Sequence, residues 1–325
     1  MAKLSIIVAS YNSKETIQRC IESVLMQSFC DWELIIVDDG SADGTKACVE
    51  GFLENKKISY FYTEHNGVSA ARNYGLSKAK GEFVLFCDAD DEYPADAFRT
   101  IISKYEEAVD FIVFGAKIIN CSDKYKLNSI IPGDELYFHN LEHALYYETG
   151  SRPYIWNCFY RRDFIEKNRL RFDERINLGE DHVFQFRAFL SADCVKFVSD
   201  VCYVHYNCRP NSCMMYYREH PVERIEKHFE IVGLIYDVYV TKGLSVSKDF
   251  YRWVLKFIFR PFIMLPKEPR KELHPKLKEM LKKIKYYRAC NLKTYLKFLI
   301  LRYVILQNSF EKMKKQGGKA LHDGN

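Results

Sequence analysis

"GEFVLFCDADDEYP" (residues 81–94) is the stretch on which the reading of this chain turns. Its first half holds a continuous apolar run, Phe83-Val84-Leu85-Phe86, without the alternation expected of a strand with one wet face. A short run of that kind fits a strand covered on both sides, the habit of parallel sheets sandwiched between helices. Its second half sets four carboxylates, Asp88, Asp90, Asp91 and Glu92, into five positions at the strand's end. Like charges held so close repel one another, so positive charge has to be brought among them by the rest of the chain or by a ligand.

The same pattern repeats outward. "LSIIVAS" (4–10), "ELIIVDD" (33–39), "ISYFYT" (58–63) and "DFIVFGA" (110–116) read as further strands, with helical stretches near 44–55 and 68–79. Ser13 is placed to cap a helix whose Ile17, Ile21, Val24 and Leu25 recur at helical spacing. Polar residues collect where these strands end: Ser10-Tyr11-Asn12, Asp38-Asp39-Gly40-Ser41, Glu64-His65-Asn66-Gly67, and Asp88 to Glu92. In an open parallel sheet, ligands bind beyond the carboxyl ends of the strands, so four loops converging there predict one crevice. The expected class is α/β: a Rossmann-like, mostly parallel sheet flanked by helices, with a helical region after it.

Residues 117–150 have weaker periodicity and read as an excursion from the sheet. A helix is expected from Glu180. The predicted first domain is 1–220, divided into a ligand-binding half (1–116) and a second half (117–220), and 221–325 is a separate basic helical region. Charge supports that division: residues 1–220 carry 25 Lys+Arg against 33 Asp+Glu, and residues 221–325 carry 23 against 10.

With 325 residues, 48% hydrophobic, the chain can fill a sizeable core. The eleven cysteines are scattered without a C-x-x-C pair, which disfavours a disulfide framework or a zinc site and suits apolar fillers in a reducing compartment. The apolar stretch at the start is too short for a signal-peptide core, and nowhere do 18 uncharged apolar residues run together.

Asp88-Ala89-Asp90 is a D-x-D pair on extended chain, where side chains two apart point the same way and can face one ligand. Carboxylate oxygens suit Mg²⁺ or Mn²⁺, which in turn bridge phosphates. The plainer reading is an acidic turn that caps the next helix, with Asp91 just ahead of it. In "VDDGSADGT" (37–45), Ser41 and Asp43 serve as turn and cap residues, while Asp39 can accept a hydrogen bond from a nucleobase. Arg72, following Gly67, is expected to balance the carboxylates or to touch the nucleotide.

"SIIVASYN", "VDDGSADGT", "HNGVSAARNYG" and "FCDADDEYP", in this order, resemble the signature of family 2 glycosyltransferases with the GT-A fold, over roughly the first hundred residues. Ala9 stands where that family usually has proline. The resemblance implies an inverting transferase of bacterial surface-polysaccharide type, using a nucleotide-diphosphate sugar, UDP-sugar first, with Mn²⁺ or Mg²⁺. It implies that Ser10, Tyr11, Asp39, Asn66, Arg72 and Asp88 hold the donor, that Asp90 is the main metal ligand, and that Asp88 lies near the metal or ribose. "NLGEDHVFQFR" (177–187) resembles the family's second motif, which implies Asp181 as general base with Glu180 orienting the acceptor. A helix N-terminus favours acidic residues for its own reasons, so this pair has a plain structural reading too. Arg209 and Ser212, in "CYVHYNCRPNSCM" (202–214), are candidates to close over the diphosphate. His205 is either a further metal ligand or a packed side chain among aromatics. Cys158 stands where lysine is common.

In the basic region, Arg252, Lys256 and Arg260 fall four apart within "YRWVLKFIFRPF" (251–262), and "LKEMLKKI" (277–284) has a Leu277, Met280, Leu281, Ile284 stripe. "YLKFLILRYVIL" (295–306) is more apolar and not cleanly amphipathic. Basic aromatic helices suit an anionic membrane surface, and so an enzyme peripheral to the inner face of the cell membrane whose acceptor is a glycan or lipid-linked sugar. The alternatives are a helical cap or a homo-oligomer interface. Nucleic acid is a poor partner for a chain whose larger part is acidic. Two other functions stay open. A sugar-phosphate nucleotidyltransferase would need a glycine-rich loop that "ASYNSKET" lacks, and a non-catalytic binding relative would not need Asp90 with Glu180-Asp181.

Overall fold

Nine strands form one sheet in the computed structural model, which describes residues 3–120, 125–128, 136–138, 154–207 and 213–286. They are β1 (Leu4–Ser10), β2 (Trp32–Asp38), β3 (Ile58–Tyr62), β4 (Phe83–Asp88), β5 (Phe111–Asn120), β6 (Tyr125–Asn128), β7 (Leu136–Phe138), β8 (Cys158–Arg161) and β9 (Val195–Asn207). The order is β3-β2-β1-β4-β8-β5-β9-β7, with β6 paired to β5. Strands β1 to β4 are mutually parallel, β8 runs against both β4 and β5, and β9 runs parallel to β5. Six of the nine strands therefore point the same way.

The apolar runs are buried on both faces, as double coverage requires: Ile6, Ile7, Val8, Leu34, Ile36, Phe83, Val84 and Leu85 have no exposed surface. Helices α1 (Ile17–Leu25), α2 (Thr45–Glu50), α3 (Val68–Lys78), α4 (Ala97–Ser103), α5 (Arg162–Lys167) and α6 (Glu180–Phe189) accompany the sheet. Helix α3 lies close on β1, since a Cβ on Gly75 would come within 2.4 Å of Ile7 Cγ2.

Two local expectations need correction. Ser13 starts α1 through its carbonyl, which accepts from the N–H groups of Thr16 and Ile17, while its hydroxyl donates to the Tyr11 carbonyl. Ile17, Ile21 and Val24 are buried, but Leu25 is 37% exposed at the end of the helix.

The chain divides into two compact units, one of Met1–Glu219 with Asp237–Ser245, the other of His220–Tyr236 with the residues from Val246 onward. The second contains α9 (Lys248–Val254), a π-helical turn (Leu255–Phe259), α10 (Arg260–Met264) and α11 (Lys267–Lys283), preceded in the chain by α7 (Cys213–Glu219) and α8 (Pro221–Thr241). In it Leu277, Met280, Leu281 and Ile284 are buried, so that apolar stripe is used for packing, whereas Arg252, Lys256, Arg260 and Met264 are exposed along one edge. Residues 295–306 lie outside the described residues, as do Arg209 and Ser212.

Candidate active site

Parallel register puts the strand ends level. Ala9 pairs with Asp88, Ser10 with Asp38, and Asp38 with Tyr62, so the polar loops leave the sheet along one line. Asp38 is fully buried and structural: it accepts from Tyr60 Oη at 2.6 Å and from the Ser41 N–H. The Ser41 hydroxyl accepts from the Asn12 N–H, which clips the β1 and β2 loops together. Asp43 accepts from the N–H and hydroxyl of Thr45 two residues on, a turn contact just ahead of α2, whose N-cap is Gly44 and not Asp43 as the sequence suggests.

Asp39 is buried beneath the β3 loop. One of its oxygens accepts from the Asn66 N–H at 2.8 Å, the other from the Gly67 N–H at 2.9 Å, with His65 Nδ1 also 2.9 Å away. Two oxygens offer about four lone-pair sites, which leaves capacity for a further donor. The Tyr11 ring stacks on His65 with centroids 4.2 Å apart, and Tyr11 is half exposed. Ser10 is buried on the same edge, and its hydroxyl has no partner among the described residues.

The acidic stretch at 88–92 answers the question its charge poses largely with the chain's own cations. Arg72 donates to Asp88 Oδ1 at 2.9 Å, His205 Nδ1 lies 2.8 Å from Asp91 Oδ2, and Arg19 Nε lies 3.6 Å from Glu92 Oε2. Arg19 also covers the Tyr206 ring at 3.8 Å and donates to the Asp90 carbonyl. Glu92 forms a β-bridge with Val204 and accepts from Tyr206 Oη. The segment is thus sewn to β9, a strand the sequence reading did not identify.

Asp91 has no exposed surface and is the residue that reading missed. It accepts from Tyr203 Oη, His205 Nδ1 and the Tyr206 N–H, each at 2.8 Å. Burial pushes its carboxyl up to about 6 against the pull of His205. Burial lowers His205, but the hydrogen bond and charge of Asp91, with Asp88 and Asp90 nearby, outweigh it and raise the imidazole to about 8. Trp156 stacks on both Tyr203 (4.9 Å) and His205 (5.1 Å), so His205 is packed among aromatics as well as bonded. Asp88, Asp91 and His205 present ligand atoms within 4.8 Å of one another, the group best placed to hold a cation among the described residues, and Asp90 is not in it.

The "GED" stretch reaches the same place. Gly179 takes the left-handed conformation (φ 74°) that lets the chain turn into α6, and glycine adopts it without strain. Arg72 donates from one nitrogen to Glu180 Oε1 at 2.8 Å and from the other to Asp88, joining residues 108 positions apart in the chain. Its guanidinium lies 5.3 Å from the Phe172 ring, which stacks on Phe184 of α6 at 4.3 Å. Burial alone would lower Arg72, but Asp88, Glu180 and Asp181 together hold it above its ordinary value. Glu180 is raised by burial and by Asp181, against Arg72. Asp181 is penalised by burial too, yet His182, whose N–H and Nδ1 both meet its Oδ1, and Arg72 bring it down to about 2. His182 carried no sequence signal beyond adjacency. Cys158 is wholly buried under α6, with Gln185 donating to its sulfur, which leaves it no route to a substrate.

Comparison with known proteins agrees with this geometry. The sequence model described as "Glycosyl transferase family 2" matches residues 5–169. The glycosyltransferase EpsJ of Bacillus subtilis, itself uncharacterized, is 30% identical over 74% of this chain and 71% of its own length. The cholesterol galactosyltransferase of Borreliella burgdorferi is 30% identical over 63% of this chain and 60% of its own. The crystal structure of residues 1–349 of TarS from Staphylococcus aureus, in complex with UDP-GlcNAc, superposes with a TM-score of 0.65 at 22% identity, covering 87% of this chain and 80% of that one.

Proposed function

The chain belongs to glycosyltransferase family 2 and has its GT-A fold, and from that premise we propose an inverting, metal-dependent transferase that moves a sugar from a UDP-sugar to a hydroxyl of a glycan or lipid-linked acceptor in surface-polysaccharide synthesis. The observation that carries this reading is Arg72, which ties the acidic end of β4 to the Glu180-Asp181 start of α6. A donor seated at the strand ends then has a carboxylate within the same charged network to receive the acceptor's proton.

In this reading Tyr11 flanks the nucleobase and Asp39 uses its remaining lone pairs on a base N–H; uracil presents one. Ser10, Asn66 and Asp88 complete the donor side, with Arg209 and Ser212 assigned to it from sequence alone. Carboxylates with an imidazole suit Mn²⁺ or Mg²⁺; Asp88 and His205, which lie together at the strand end, would hold the ion, with Asp90 assigned to it from the sequence motif alone. Bound there, it would offset the charge left on the departing diphosphate. Asp181 takes the proton as the acceptor oxygen bonds to the anomeric carbon. The bond from that carbon to the diphosphate oxygen breaks on the opposite side, so configuration inverts. Glu180 orients the acceptor while held by Arg72. Positioned proton transfer of this kind contributes about 10²–10⁴-fold.

Among the described residues no helix is long and apolar enough to cross a membrane. The exposed Arg252, Lys256, Arg260 edge supports contact with the anionic inner face of the membrane, at about 1 kcal/mol per basic residue near the surface. Reversing all three charges to Glu is expected to release the protein from phosphatidylglycerol vesicles; unchanged partitioning would remove this contact from the reading. The donor site is tested by thermal shift with UDP, GDP and UDP-sugars, each with Mn²⁺ or EDTA. A Mn²⁺-dependent rise with uridine nucleotides is expected. A rise indifferent to EDTA would sink the metal, and none with any nucleotide would sink the transferase.

A further inference from the structure

Of the three residues that gather around the candidate cation position, Asp91 is the one whose oxygens are already occupied. Oδ1 accepts from the Tyr206 N–H, and Oδ2 from Tyr203 Oη and His205 Nδ1. It has no exposed surface, and the Tyr203 hydroxyl that donates to it also accepts from the Asp88 N–H at 3.0 Å. A cation that took Asp91 as a ligand would have to displace these donors, each of them held in place around a carboxylate with no exposed surface. Resting on the reading that His205 faces a divalent cation, we propose that Asp91 is not a ligand but a positioning residue, which fixes the His205 imidazole with its proton on Nδ1 and so reserves the Nε2 lone pair for the ion.

The geometry supports this at three points. A carboxylate that accepts from three donors can only accept from Nδ1, which sets the tautomer. Trp156, stacked on both His205 and Tyr203, fixes the plane of the ring. The Tyr203 hydroxyl links Asp91 to the backbone at Asp88, so ring and acidic strand end are held in one frame. Partners of this kind orient a ligating histidine, and losing one typically costs about 10–100-fold in metal affinity.

Asp91→Asn separates this role from bulk or folding. With its oxygen kept by the Tyr206 N–H, the new amide presents NH₂ to His205 Nδ1. The imidazole must then accept there and carry its proton on Nε2. Mn²⁺ binding is measured by electron paramagnetic resonance in the presence of UDP, for the wild type, Asp91→Asn and His205→Ala. Asp91→Asn is expected to lose about 10–100-fold in Mn²⁺ affinity, approaching His205→Ala, while UDP binding in EDTA stays unchanged. Nitrogen-15 spectra of the wild type with UDP and Mg²⁺ should show His205 protonated at Nδ1; this reading stands even if the variant fails to fold. Affinity kept in Asp91→Asn but lost in His205→Ala would overturn the role of Asp91 alone, as would a proton found on Nε2. Affinity kept in His205→Ala, or no Mn²⁺ bound by the wild type, would overturn the cation reading itself.

Discussion

The carboxylates at the end of β4 and those at the start of α6 meet at Arg72, yet the two groups are built in opposite ways. Asp91 sits in the protein interior, its oxygens filled by donors from β9, and its ionisation is pushed up to about 6. Asp181 stands at a helix N-terminus with 27% of its side chain exposed; burial costs it, but His182 and Arg72 hold it down to about 2. The same side chain is a strut in one place and an available, permanently charged group in the other. Neighbours decide this, since both are aspartates in short acidic runs. The difference separates residues that shape the site from those placed to take part in the reaction.

The sharpest test of that contrast is Asp181→Asn. As proposed base, it is expected to lose about 10²–10⁴-fold in transfer rate and to keep its Mn²⁺-dependent thermal response to UDP. Normal turnover would show that the available carboxylate is not the reacting one. Because Asp181 ionises near 2, it stays charged at any working pH, so a pH–rate profile should carry no acid limb from this group above about pH 4.

Arg72→Ala breaks the junction between the groups. It leaves Asp88 and Glu180 facing each other without their shared cation, and removal of one partner from a buried ion pair costs about 3–5 kcal/mol. Urea denaturation should show this as a lowered midpoint, with Arg72→Lys intermediate because an ammonium cannot span both carboxylates as the planar fork does. An unchanged midpoint would mean that the two groups are positioned independently.

Much of this architecture was legible in advance. Continuous apolar runs identify strands buried on both faces, and parallel register then lines up the loops that follow them. The expected strands at 4–10, 33–39, 58–63 and 81–88 are each found within two residues. What escaped was whatever depends on pairing across the chain. Strand β8 is four residues long and ends in Arg161, and β9 runs through Ser199 and Asp200 at a register shift, so neither has a clean apolar period. Asp91 read as a turn residue because its three donors come from residues 203–206. Arg72 was legible as a balancing charge, but its bond to Glu180 was not.

The smallest expected effect concerns how α6 is held from the far side. Asp173 accepts from Arg175 at 2.6 Å and from Arg187 of α6 at 3.3 Å, and chiefly the Arg175 hydrogen bonds, against some burial, bring it down to about 2. A carboxyl depressed below its ordinary 3.8 contributes stability that is complete above that value and lost as pH falls through about 2. Arg175 is largely exposed, so solvent screening leaves the contribution small. Asp173→Asn should therefore lower the urea midpoint modestly at pH 7, and the gap from wild type should narrow as pH is taken from 5 towards 2. If transfer by Asp173→Asn is also unchanged at neutral pH, then Arg72 and the Phe172–Phe184 stack suffice to place Asp181, and the contrast between strut and reacting carboxylate rests on the junction alone. If transfer falls with the midpoint, the loop at 171–175 belongs to the positioning of the base as much as Arg72 does.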